Sequence, residues 1–96
     1  MTVLHANQDK ITVPDGVLVR ELAGESVLLN LQSESYFGLD EVGTRMWAAL
    51  TVSPTIAVAF DILLAEYDVE PERLRADLQN FTQKLVELGL LHVHAD

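Results

Sequence analysis

Cysteine is absent from this 96-residue chain, which excludes a disulfide scaffold, a thiolate metal site and a cysteine nucleophile. Basic residues are scarce: six Lys and Arg stand against 15 Asp and Glu, a formal net charge of −9. Nucleic-acid binding rests on counterion release through Lys and Arg, so DNA and RNA are poor partners for such a chain. The acidity either keeps a small domain soluble or favours a neutral or basic peptide partner. Long apolar runs are also missing. The longest, residues 56–65, is broken by Asp61 and falls far short of a membrane span. Residues 1–10 lack the basic start and apolar core of a signal peptide. The expected setting is the cytoplasm, away from membranes.

Catalytic sets are equally thin. No serine sits in a Gly-x-Ser-x-Gly turn, and the five glycines are scattered rather than gathered into a phosphate loop. His92 and His94 stand two apart on an extended segment, where their rings share a face. A metal site needs a third or fourth ligand, and only Asp96 lies nearby in sequence. His5 has no visible partner. The carboxylates fall mainly at helix starts and on polar faces: Asp40 and Glu41 suit the positive end of one helix, Glu70 and Glu72 that of another. Neither catalysis, a metal nor a cofactor is expected.

What remains is the pattern of one small globular domain, 49% hydrophobic. Residues 1–10 read as a loose polar arm and 11–94 as the domain. Ile11–Val13 is a short strand stopped by the Pro14-Asp15-Gly16 turn. Strands follow at residues 17–22, 25–31 and 34–39, separated by Ala23-Gly24 and by a turn around Gln32–Glu34. In the middle strand Val27, Leu29 and Leu31 share one face, and Ser26, Leu28 and Asn30 the other. From Asp40, an N-cap, the period becomes helical, with Val42, Met46, Trp47 and Leu50 on one face. Gly43 inside that helix implies close backbone packing.

Ser53 as cap and Pro54 at the first position open a second helix, with Ile56, Phe60, Leu63, Leu64 and Tyr67 as its buried stripe. Pro71 opens a third, whose Leu74, Leu78, Phe81, Leu85 and Leu88 form the cleanest amphipathic stripe in the chain. Gly89 ends it as a C′ residue, and residues 90–94 are extended. The expected fold is α+β: an N-terminal three-stranded antiparallel sheet followed by three helices. Arg73, Arg75 and Asp77 flank the third helix's stripe. They are either a solvated face, with Arg73 and Asp77 as an i,i+4 pair, or the rim of a groove.

The segments Leu29–Leu31, Ser35–Trp47 (SYFGLDEVGTRMW) and Tyr67–Leu74, with Asp77, Phe81, Leu85 and Gly89–Leu91, resemble the PqqD-like domain. This domain recognises leaders in pathways of ribosomally made, post-translationally modified peptides. The resemblance spans about residues 15–92. Asp40 departs from the Asn common in pyrroloquinoline quinone pathways. The run Asp40–Trp47 is more similar to the discrete leader-binding B protein of split lasso-peptide systems, where a separate cysteine protease removes the leader.

The resemblance implies a winged helix-turn-helix-like fold and a non-catalytic adaptor. The precursor's leader adds as a strand beside the third strand of the sheet, in a groove walled by the third helix. Carried onto this chain, Glu34, Ser35, Tyr36, Phe37 and Gly38 form the acceptor strand. Leu29, Leu31, Phe37, Leu74, Leu78 and Phe81 floor or wall the pockets, and Arg73, Arg75 and Asp77 stand near the rim. The implied partners are the leader, the leader peptidase and the cyclase. Two other readings share the pattern: a winged-helix DNA-binding regulator, and a small scaffold dimerising through the same strand edge.

Overall fold

The computed structural model describes residues 10–94. Strand β1 (Lys10–Thr12) leads into β2 (Val17–Leu22), β3 (Glu25–Asn30) and β4 (Ser35–Leu39). Helices α1 (Glu41–Val52), α2 (Ile56–Glu66) and α3 (Pro71–Glu87) follow, and β5 (His92–His94) ends the described chain. Strands β2, β3 and β4 form an antiparallel sheet in that order, the expected meander of an α+β, winged-helix-like fold.

The turns follow their residues. Ala23 (φ 55°) and Gly24 (φ 83°) form the two-residue connection from β2 to β3. Positive φ at both central positions matches the right-handed twist of the flanking strands. Between β3 and β4, Asn30 Oδ1 accepts from the backbone N–H groups of Gln32 and Ser33, at 3.0 and 3.2 Å. Its Nδ2 donates to the Gly89 carbonyl at 2.9 Å, so one side chain ties the hairpin to the end of α3.

The helix boundaries agree with the sequence at three ends and differ at one. Asp40 caps α1, its Oδ1 accepting from Gly43 N–H at 2.7 Å. Pro71 opens α3. Gly89 (φ 74°) closes it: Gly89 N–H donates to Val86 O at 3.0 Å and Leu90 N–H to Leu85 O at 2.9 Å, the paired bonds of a Schellman end. The start of α2 is the correction. Ser53 ends α1, its hydroxyl donating back to Ala49 O, while Thr55 caps α2 by accepting from Val58 N–H at 3.3 Å. Pro54 therefore lies between the helices, not within one.

Three strand expectations also change. The first strand spans Lys10–Thr12 and pairs with β5, so Lys10 leaves the arm and the two ends of the domain meet in a second, two-stranded sheet. Residues 1–9, with the rest of the arm and His5, lie outside the described residues, as does Asp96. Glu34 has φ 58°, a left-handed conformation no strand residue adopts, so β4 begins at Ser35. Leu31 falls just past the end of β3.

The core lies between the sheet and the helices. Leu28 and Leu39 meet Met46, Trp47 and Leu50 of α1, with Leu63 of α2 and Leu74, Leu78 and Leu85 of α3 in the same cluster. Buried Ser26 and Thr44 share a hydrogen bond of 2.8 Å between sheet and helix. Gly43 is needed where it stands: an added Cβ would lie 3.3 Å from Asp40 Oδ1 and 3.4 Å from two atoms of Leu39.

Candidate functional site

Among the described residues the outer edge of β4 is unpaired, and it faces the start of α1 and the flank of α3. Which of its backbone groups are free follows from the register. A residue in an antiparallel ladder sends its N–H and C=O to the same side, and successive residues alternate. Leu31 N–H donates to Gly16 O at 2.9 Å, and the two-residue turn closes on Leu22 and Glu25. The odd-numbered residues of β3 therefore bond to β2, leaving Ser26, Leu28 and Asn30 to bond Leu39, Phe37 and Ser35 of β4. Tyr36 and Gly38 are left with N–H and C=O directed to the open edge.

Beside that edge runs a groove of about 500 Å³. Phe37, Leu39, Met46 and Phe81 supply its apolar surface, and Asp40, Asp77 and Asn80 its polar groups. Phe37 and Leu39 point inward with Leu28, and Tyr36 and Gly38 point outward. A strand laid along β4 would thus send alternate side chains into the groove and the others to the outer face of the sheet.

The structure brings together only part of the set read from the sequence. Phe37, Gly38, Asp77 and Phe81 line the groove. Ser35 and Tyr36 lie on β4 before it, and Glu34 is in the turn. Leu74 and Leu78 are buried in the core, 4% and 1% exposed, and do not line the groove. The helical stripe joins core and groove residues without distinguishing them, because both are apolar.

Leu29 and Leu31 fall on the sheet's outer face, away from α3, because Leu28 takes the inner one. Arg75 turns toward α2, its guanidinium 4.8 Å from the centroid of the Phe60 ring, a cation–π contact. Arg73 is exposed, its Nε 4.0 Å from Asp77 Oδ2, the limit of an ion pair.

Val42 and Met46 are groove residues the sequence placed in the core. Met46 is buried, but Val42 is 47% exposed at the groove mouth. Its helical spacing from Met46 is right for a shared face, yet among the described residues no element covers it. Asn80 lay outside the stripe and carried no signal.

Several polar side chains elsewhere have structural partners. Arg45 donates to both carboxylate oxygens of Glu66, a bond that raises the guanidinium pKa above its ordinary value. His94 Nε2 lies 2.9 Å from Thr12 Oγ1, and its ring stands edge-on to His92 at 5.9 Å. Among the described residues no cluster of three His, Cys, Asp or Glu is arranged to hold a metal. No described helix is long and apolar enough to cross a membrane.

A winged-helix-like α+β domain whose wing leaves one strand edge open beside a helix-walled groove defines the structural class. Within it, the chain belongs to the PqqD family, described as coenzyme PQQ synthesis protein D, which matches residues 25–91. It is similar to TbiB1, solved in complex with the TbiA(beta) leader peptide. The two share 36% identity over 88% of this chain and 99% of that one, with a TM-score of 0.80. The fold also matches a lasso peptide synthetase B1 complexed with the leader peptide, at 22% identity, TM-score 0.76, over 86% and 98% of the two chains. No curated protein gives a match.

Proposed function

We propose that this protein is a non-catalytic adaptor of lasso-peptide biosynthesis in the cytoplasm. It binds the leader of a ribosomal precursor as an added strand along β4 and presents the precursor to a leader-removing cysteine protease and a cyclase. The observation that carries this reading is the open β4 edge, with Tyr36 and Gly38 offering main-chain groups beside an apolar groove. Main-chain bonds attach an extended peptide whatever its sequence, and side-chain pockets then discriminate. A relative 36% identical over most of both chains, solved with a leader peptide, supports the same assignment.

Titration of a fluorescently labelled leader of a lasso precursor from the same genome tests it. Saturable binding is expected, with a scrambled leader failing to compete. Phe81→Ala removes apolar groove surface worth ~1.5 kcal/mol, so leader affinity should fall about tenfold. Absence of saturable binding by the wild-type protein would overturn the assignment.

A further inference from the structure

Helix α2 is apolar on all sides: Asp61 and Glu66 are the only polar residues in Ile56–Glu66. A helix of that kind is ordinarily enclosed, yet only Ile56, Ala59 and Leu63 are buried. Part of its remaining apolar surface adjoins α1. Arg45 and Glu66 bridge the two helices, and from that pair toward the 53–55 connection α1 presents Ala48 and Val52 while α2 presents Ile62 and Val58. Steps of three and four residues keep each set on one side of its helix. Val52 is 74% exposed and Val58 39%, so this face is open to solvent. At the Arg45 end it runs into a cavity of about 440 Å³, lined by Ala48 and Tyr67 with Glu21 and Glu41 among its walls. Arg45 is the one base in that lining, and Glu66 engages it.

We infer that this α1–α2 face is a docking surface for a helix of a partner protein, apolar along one side and flanked by Lys or Arg. The inference rests on the adaptor reading, so the partner is a processing enzyme and not the leader. Charge selects the occupant. Residues 55–72 carry Asp61, Glu66, Asp68, Glu70 and Glu72 and no Lys, Arg or His. A second copy would set those carboxylates against themselves, and phosphate-bearing partners meet the same field. A helix laid over Val52 and Val58 covers the open apolar side as one helix packs on another, and its flanking bases reach the carboxylates at the rim. A long basic side chain at the Arg45 end has room to lay its stem against Tyr67 and its head at Glu21 or Glu41. None of Ala48, Val52, Val58 and Ile62 lines the β4 groove, so enzyme and leader do not compete for one surface.

The test titrates the full chain with the purified leader-removing protease and cyclase of the same genome, beside leader titration and thermal melting. One of the two enzymes should bind, and more weakly as salt rises. Val58→Lys should lower that affinity about tenfold and Val58→Asp less, since only lysine repels a basic partner while removing apolar contact. Asp61→Lys, at an exposed position, should lower it about threefold. Leader affinity and melting temperature should be unchanged in all three variants. Unchanged enzyme affinity in Val58→Lys, or binding of neither enzyme by the wild type, overturns the docking face, while leader titration judges the adaptor reading separately. A greater loss in Val58→Asp than in Val58→Lys overturns the basic partner. So does a wild-type dimer in sedimentation that Val58→Lys dissociates. If the Val58 variants melt early, Asp61→Lys decides alone, and unchanged enzyme affinity there overturns the proposal.

Discussion

Along α3, two neighbouring positions of one stripe have opposite uses. Leu78 is fully buried, and Leu78→Ala should cost about 2–5 kcal/mol of stability in chemical denaturation, whatever it does to binding. Phe81, one turn on, is half-buried and faces the groove, so its truncation reports on binding. Thr82 is a third case. Its hydroxyl is buried without a hydrogen-bond partner, a cost that an isosteric valine removes. Thr82→Val should stabilise the fold by about 1 kcal/mol, a rise of ~4–8 °C in melting temperature. An unchanged or lower melting temperature would mean the hydroxyl is satisfied after all.

For the elements, local chemistry accounts for most boundaries and little of their pairing. The Ala23-Gly24 turn, the Asp40 cap, Pro71 and Gly89 are legible because each acts on its own backbone. Gly89→Ala would force alanine to φ 74° and set its Cβ 3.2 Å from Asn30 Nδ2, so a loss of about 1–2 kcal/mol is expected in urea unfolding. The edge of β4 makes a different prediction. Only Tyr36 and Gly38 present main-chain groups to a bound strand, so single N-methylation along the leader should alternate in effect. Methyl groups on peptide nitrogens facing β4 should lower affinity tenfold or more, and those between should be tolerated. A uniform response would exclude strand addition.

The whole molecule is closed by contacts that no local pattern announces. Thr12 and His92 pair across 80 positions of sequence, and Ile11 N–H donates to Pro54 O at 3.3 Å. Strands of three residues have little propensity of their own; they form because the core brings the ends together. Ending the chain at Leu91 removes that pairing and the partly buried Val93 side chain, a loss of ~2–3 kcal/mol. The groove has no lining residue in either strand, so leader affinity measured well below the melting transition should be unchanged.

The faces of β3 separate what the sequence determined from what folding decided. Turn residues, caps and hydrophobic periods established the succession of short strands and three helices, since each depends on neighbours within a few positions. The pattern alone favours burying Val27 and Leu29 over Ser26 and Asn30, because they are the more apolar pair. The structure buries the opposite face: Leu28 enters the core, Ser26 bonds Thr44, and Asn30 bonds the Gly89 carbonyl. Those partners lie 18 and 59 residues away, so a polar residue's place inside is settled only when distant elements supply its hydrogen bond. The same choice divides the third helix's stripe into core and groove, and leaves Tyr36, Gly38 and Leu29 on the outer face.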